Sequence, residues 1–388
     1  MKALLYSLIP LIAAYAYLEG GRVFRAITSA PLSAYIILAS CLASTFYSIN
    51  VDASVRGIIA VTLITIAPIL YRTRYGAEET WRLVYYFVSA AAILNVIYTI
   101  AFPQFAVMGG SYNGMVKGLF YHKNLMGHFF AISFFIILLN PRFKIRFSTA
   151  GILKIIALAC SLLLVILAKS STAVVMIGVG ISIVAGLTMI RPLKNKFGRI
   201  SLILMICLAA GTAATLTYNI MISTVATAFG KDSTLSGRSG IWEQLIPLVA
   251  DRPIFGYGFA MFRQPEVFDR FVHASWDVSS THSTYLELCL NIGIPGTLAL
   301  VTLILSRLFA KVGPSPTSNG QRRTQALEII IITLVLVASA LDAGMMLAPI
   351  VLWPLLLMAL PLSPSRAPKP SANPTPRHAL AMQGAVLK

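Results

Sequence analysis

Charge is scarce in this sequence. Of its 388 residues only 11% are Asp, Glu, Lys or Arg, against about 25% in an ordinary soluble domain. Acidic residues are the scarcest, 13 against 31 Lys and Arg, for a net charge of +18. So little charge, beside 57% apolar residues and a mean hydropathy of +0.80, excludes a soluble enzyme of this size. It equally excludes a disordered chain, which needs low hydrophobicity and high charge. Cysteine is rare too. Cys41, Cys160, Cys207 and Cys289 all lie inside apolar runs, with no CxxC spacing and no His/Cys cluster. Neither a disulfide framework nor a zinc site is expected from them. A P-loop, HExxH, GxSxG and paired DxD acids are also missing, so no metal and no cofactor is expected. Nor is there the period-two alternation that a membrane β-barrel needs.

What the sequence has instead is long apolar runs. Eleven can be drawn, near residues 3–18, 31–49, 55–71, 83–102, 124–140, 152–168, 172–190, 200–219, 284–306, 326–341 and 345–361. A helix crosses the bilayer core with about 20 apolar residues. The expected fold is therefore all-α: a polytopic membrane protein of about 11 transmembrane helices, within a range of 10–12, filling residues 1–361. The first run, with Lys2 before it and Ala14-Tyr15-Ala16 near its end, also has the shape of a signal peptide. Residues 362–388 are rich in Pro, Ser and Ala, and a disordered tail is expected there.

The basic residues fall in short clusters between the runs, as topogenic signals do, so no nucleic acid partner is expected. Assigned to alternate sides, 21 of the 31 fall on the side that holds the tail. The excess predicts a cytoplasmic C-terminus and an external face for the one long loop, about residues 220–281. That loop carries six acids, five bases, Trp242 and Trp276. A chain this apolar has few other places for polar chemistry.

Three constellations on that face stand out. Ser236-Gly237-Arg238-Ser239-Gly240-Ile241-Trp242 suits a helix capped by Ser239, with an apolar face of Ile241, Trp242, Leu245, Ile246 and Val249, lying along the membrane surface. Pro247 is expected to kink it or end it early. Arg238 beside its start is a seat for phosphate, or else a solvated loop arginine. Asp251-Arg252-Pro253-Ile254-Phe255-Gly256-Tyr257-Gly258 has no strand before it, so its Gly-x-Gly reads as a turn or a close backbone approach, not a nucleotide loop. Thr281-His282-Ser283-Thr284-Tyr285-Leu286-Glu287 marks the return to the membrane. His282 can serve as general base on a sugar hydroxyl. Glu287, already inside an apolar run, is either functional or half of a structural ion pair.

Arg56, Lys123 beside Asn124, and Lys169 fall on the same side. Each alone suits an interfacial anchor. Together with Arg238 they suit a lipid-linked phosphate or pyrophosphate.

In their order these segments resemble the O-antigen ligase and oligosaccharide repeat-unit polymerase superfamily, and most of all the ExoQ-type exopolysaccharide polymerases. The segments are Ser44-Thr45-Phe46-Tyr47-Ser48 with Asp52-Ala53-Ser54-Val55-Arg56, Gly118 to Gly127, Ser170-Ser171-Thr172, Gly237-Arg238 with Ile241-Trp242, Pro253 to Gly258, and His282 to Glu287 with Gly293-Ile294-Pro295-Gly296. Ser171 and Ser283 depart from the residues that the family pattern usually has at these two places. The resemblance implies a GT-C-like, metal-independent membrane glycosyltransferase. Its donor is a glycan on undecaprenyl pyrophosphate. Its acceptor is another lipid-linked glycan in a polymerase, or lipid A-core in an O-antigen ligase. It implies that Arg238 holds the pyrophosphate and His282 serves the acceptor hydroxyl, with Arg56, Lys123, Asn124, Lys169, Trp242, Tyr285 and Glu287 as substrate-binding residues. It places the chain in the bacterial inner membrane, with membrane lipid around it and a flippase and a chain-length regulator as partners. A transporter, of small solutes or of lipid-linked glycan, is the alternative from another class, and Asp342 and Glu287 are the deep acids it would use.

Overall fold

The computed structural model describes residues 32–140, 148–189, 238–273, 280–312, 318–343 and 352–360, and a few single positions besides. Among them the fold is all helical, with no strand and one isolated antiparallel bridge between Val107 and Val116. In chain order the helices are α1 (Leu32–Ala43), α2 (Val51–Ala101), α3 (Pro103–Ala106), α4 (Lys123–Leu139), α5 (Thr149–Leu167), α6 (Ser171–Met189), α7 (Arg238–Asp251), α8 (Pro265–Phe271), α9 (Thr284–Lys311), α10 (Asn319–Leu341) and α11 (Leu352–Ala359). Four of these, α2, α5, α9 and α10, are long and apolar enough to cross a membrane. Helices α1 and α4, and Ser171–Leu187 of α6, are apolar but shorter. The chain is a multi-pass membrane protein. The apolar runs at 3–18 and 200–219, and the tail, lie outside the described residues.

Most of the long helices begin where a polar side chain can take a free backbone N–H. Asn50 accepts from Ala53, His122 from Asn124, Ser148 from Gly151, Ser283 from Leu286 and Ser318 from Gln321. Helix α2 is 51 residues long but is really a hairpin, because Gly76 has φ 74° and ψ −176°. The turn falls among Arg72, Arg74 and Arg82, between the third and fourth apolar runs. Arg72 and Trp81, on the two limbs, both bind Glu328 of α10.

Helix α10 is the centre of the bundle. Ile330, Ile331, Ile332, Leu334 and Val335 are fully buried against α4, α6, α9 and α11. Helix α5 shows what a membrane does to amphipathicity. It buries Gly151, Lys154, Ala157 and Ser161 and turns Ile152, Ile155, Ile156, Leu163 and Ile166 outward. Lipid tails are as apolar as leucine, so small and polar residues do the packing over most of its length, and Leu164 and Val165 join them only near its end. Lys154 donates to the carbonyls of Leu138 (3.1 Å) and Asn140 (3.5 Å) at the end of α4, where a helix leaves carbonyls unpaired.

Helix α9 is not the uninterrupted span that its apolar run suggests. Gly293 sits at φ 77°, ψ 173° and divides it. The chain from Asp251 to Gly258 fills the break. Tyr257 N–H donates to the Leu290 carbonyl (2.7 Å), Gly258 N–H to that of Asn291 (3.2 Å), and Ile294 N–H to that of Pro253 (2.7 Å). A Cβ at Gly293 would lie 2.0 Å from the Ile254 carbonyl oxygen, and one at Gly258 would lie 2.4 Å from Ser48 Oγ. The Gly-x-Gly is thus a close backbone approach. The same loop is fixed to the α1–α2 connection: Ile49 N–H donates to Tyr257 O, Phe259 N–H to Ser44 Oγ, and Ser54 Oγ to Phe259 O.

Candidate functional site

Helix α10 ends at Leu341, and Asp342 leaves it in an extended conformation at the mouth of the bundle. Its backbone carbonyl accepts from both Thr284 N–H (3.1 Å) and Thr284 Oγ1 (2.9 Å). Its carboxylate accepts from Asn124 Nδ2 (3.1 Å) and Ala343 N–H (2.9 Å). Two imidazoles face the same carboxylate. His282 Nδ1 is 3.6 Å from Oδ1 and His128 Nε2 is 3.9 Å from Oδ2. These are ion-pair distances, longer than a hydrogen bond. His128 is buried, and His282 keeps 17% of its side chain exposed, so it can meet a substrate.

The His282 turn is held from several directions. His282 has φ 50°, a left-handed conformation that a side chain with a Cβ seldom adopts. Its neighbours fix it there. Thr281 is fully buried, its carbonyl accepts from Trp242 Nε1 (2.9 Å), and its hydroxyl bonds to the Ser283 carbonyl (2.9 Å). Strain of this kind persists only where the surroundings over-determine it, and it gathers at working sites. Lys169, in the tight α5–α6 connection, is another of the three such residues among those described, at φ 45°, with Ala260 at 64°. Its carbonyl accepts from Lys123 Nζ (3.1 Å), whose ammonium also lies 5.7 Å from the Tyr112 ring centre.

His122 completes the cluster. Its Nδ1 accepts the Asn124 N–H (3.2 Å), so that nitrogen carries no proton. Burial holds the His122 pKa below its ordinary value, and Lys123, His282 and His128 push the same way against the pull of Asp342. Three of the five histidines in the sequence thus gather around one carboxylate.

The expected site residues divide accordingly. His282, Asn124, Lys123, the Lys169 backbone and Trp242 come together. Arg238 is the first residue of α7, one turn before Trp242, and its side chain lies outside the described residues. Tyr285 Oη donates to the Leu336 carbonyl (3.1 Å) and so ties α9 to α10. Glu287 is 2% exposed and accepts from Arg263 Nε at 2.8 Å, beneath the loop. Arg56 is exposed and pairs with Asp52 one turn earlier. Helix α7 begins at Arg238 rather than after Ser239, and it continues through Pro247 to Asp251. Of the apolar face expected for it, Ile241 and Leu245 are buried, Trp242 and Val249 pack against them partly buried, and Ile246 is 59% exposed.

Sequence reasoning left Asp342, His128 and Thr284 out of the site. One signal pointed to Asp342: a carboxylate at the end of an apolar run is costly unless it is used. His128, four residues after Asn124, shares its face of α4.

Comparison with known proteins agrees with the resemblance drawn from the sequence. Residues 156–301 match the family model described as O-antigen ligase. The exopolysaccharide production protein ExoQ of Rhizobium meliloti (strain 1021) is 23% identical over 236 residues, covering 58% of this chain and 53% of that protein. The chain thus spans about half the length of this curated relative. The family match includes Lys169, Arg238, Trp242 and His282, and it leaves the α4 histidines and Asp342 on either side.

Proposed function

We propose that this chain, which carries an O-antigen ligase family domain over residues 156–301, is a membrane glycosyltransferase that extends or transfers glycans carried on undecaprenyl pyrophosphate. The observation that carries the reading is the His282–Asp342 pair, 3.6 Å apart, on a turn tied through Trp242 to the helix that Arg238 begins. The acceptor hydroxyl attacks the anomeric carbon of the donor sugar, and the bond from that carbon to the pyrophosphate oxygen breaks. His282 takes the hydroxyl proton through Nε2, while Asp342 orients Nδ1 and stabilises the imidazolium. Arg238 receives the growing negative charge on the pyrophosphate, helped by Lys169, in the role that side-chain cations can fill without a metal.

The basic-residue asymmetry supports an external site in the bacterial inner membrane, a cytoplasmic C-terminus and an interfacial α7. We extend the reading to about eleven spans in a GT-C-like arrangement. The relative's name, an exopolysaccharide production protein, favours polymerisation, with a second lipid-linked glycan as acceptor and a flippase and chain-length regulator as partners. An O-antigen ligase using lipid A-core would run the same chemistry. The broken α9 is a transporter-like feature, but the Leu290 and Asn291 carbonyls at the break accept from loop backbone, which favours a structural role for the break.

The test is direct. Purified protein is given an undecaprenyl-pyrophosphate-linked oligosaccharide, and saccharide length and released undecaprenyl pyrophosphate are followed together. Longer glycan with matching release is expected. Transport of intact donor into vesicles without release would overturn the reading.

A further inference from the structure

A second polar cluster sits at the other end of the bundle. Glu328 lies on α10, 14 residues before Asp342 just past its end, about 21 Å away at 1.5 Å per residue. Arg72 NH2 (2.5 Å) and Trp81 Nε1 (3.1 Å) donate to its Oε1, and Lys311 Nζ donates to its Oε2. Arg307 stands one turn before Lys311 on α9, so the two share a face. Arg72 and Lys311 are each close to nine-tenths buried. Two cations therefore hold one carboxylate, which is already fully engaged, and Arg307 sets a third positive charge beside Lys311.

The excess charge has a direction. Arg72 NH1 and Arg307 Nε are both buried, and neither has a hydrogen-bond partner among the described residues. A buried N–H donor with no acceptor costs free energy until something accepts from it. Two such donors, on different arginines beside an ammonium, suit a tetrahedral oxyanion. The cluster also joins the last turn of α9 to the third turn of α10, at the ends of two helices long and apolar enough to cross a membrane, with an indole beside it, as suits the level at which tryptophan and lipid headgroups meet.

We propose that Arg72, Arg307 and Lys311 bind one phosphate-type anion at this end of the bundle. Glu328 orients Arg72 and Lys311, and leaves Arg72 NH1 and Arg307 Nε for the ligand. The phosphodiester of an anionic phospholipid and free inorganic phosphate share this chemistry. The site is separate from the His282 cluster and does not rest on the reading of catalysis.

The test uses full-length protein in a non-ionic detergent. Tm is recorded with phosphatidylglycerol, with phosphatidylcholine and with sodium phosphate, at matched ionic strength. Phosphatidylglycerol is expected to raise Tm by roughly 3 °C or more, and phosphatidylcholine to leave it unchanged. Arg307→Gln, which keeps the three hydrogen bonds to Glu328, should remove the rise. Arg270→Gln, an exposed arginine at the opposite end, should not. Native mass spectrometry of bound phosphatidylglycerol gives a second readout should Arg307→Gln lower the starting Tm. A saturable rise with sodium phosphate that Arg307→Gln also removes would support the site and assign it to the free anion. Equal effects of the two lipids, or an anion response and lipid occupancy unchanged by both Arg307→Gln and Arg72→Gln, would overturn the proposal.

Discussion

His282 Nδ1 stands 3.6 Å from the carboxylate of Asp342, although the two residues begin and end different helices. Two hydrogen bonds to one backbone carbonyl enforce the approach, since Thr284 donates to Asp342 O through both its N–H and its hydroxyl. Asp342 acts through His282 and is a positioning residue. Asp342→Asn should keep the fold and donor affinity yet slow transfer by roughly 10²–10⁴-fold, because the amide no longer fixes the imidazole or balances its charge. The pH–rate profile should change as well, which a merely structural substitution would not do. Transfer within threefold of wild type would remove Asp342 from the mechanism.

The donor and acceptor roles separate by mutation. Arg238→Ala should weaken binding of the lipid-linked donor, and Arg238→Lys should still impair turnover because it keeps the charge but loses the fork. His282→Ala should leave donor affinity near wild type and slow transfer by roughly 10²–10⁴-fold. Donor binding and polymer formation at equal membrane levels decide it. Unchanged donor affinity in Arg238→Ala, or full activity in His282→Ala, would reverse the assignments.

The sequence and the structure part company where contacts are distant along the chain. Apolar runs show the membrane class, and the arginines around Gly76 show the hairpin turn, because both signals are local. The close approach at Gly256 and Gly258 is legible for the same reason. The break in α9 is hidden inside an apolar run. Pro295 gives little warning, since proline is tolerated in the first turn of the second limb. Asp342 and His128 have no spacing relationship to His282, and only the packing of α4, α9 and α10 joins them. The helical period of α7 likewise gives an apolar face without saying that Ile241 and Leu245 pack while Ile246 stays exposed.

Glu287 and Arg56 should behave differently from His282. Glu287 is buried against Arg263, so Glu287→Gln removes one partner of a buried pair and should cost about 3 kcal/mol or more. Its activity per folded molecule should survive. Arg56→Ala breaks an exposed pair with Asp52 and should cost less than about 1 kcal/mol. Thermal unfolding and folded-fraction activity measure both. A stable but inactive Glu287→Gln protein would return Glu287 to the substrate.

His122 gives stability a pH dependence whose sign can be worked out. Its folded pKa lies below the ordinary value, so the unfolded chain binds the proton more readily. The stabilisation is complete above the ordinary imidazole range and is lost as pH falls toward the folded value. The Tm of the wild type should therefore drop on acidification from neutral pH. His122→Asn retains a capping side chain for α4 and should flatten that drop. An equal drop in the variant would place the effect elsewhere.

Gly293 is the position where a single methyl group should do the most damage outside the His282 cluster. Its φ of 77° already penalises a side chain, and an added Cβ would fall 2.0 Å from the Ile254 carbonyl oxygen. That oxygen belongs to backbone pinned on either side by the Pro253–Ile294 and Tyr257–Leu290 hydrogen bonds, so it cannot yield as the end of a flexible side chain would. Gly293→Ala must then either distort the break or expel the loop. The backbone term alone is worth about 1–3 kcal/mol, and the lost hydrogen bonds add to it. The expected result is a lower Tm and faster proteolysis within residues 251–264. Activity should fall in step with loop release, because the segment that leaves α9 continues from the helix whose Trp242 holds the His282 turn. A Gly293→Ala protein with wild-type Tm and protease resistance would show that the loop does not enter the break of α9.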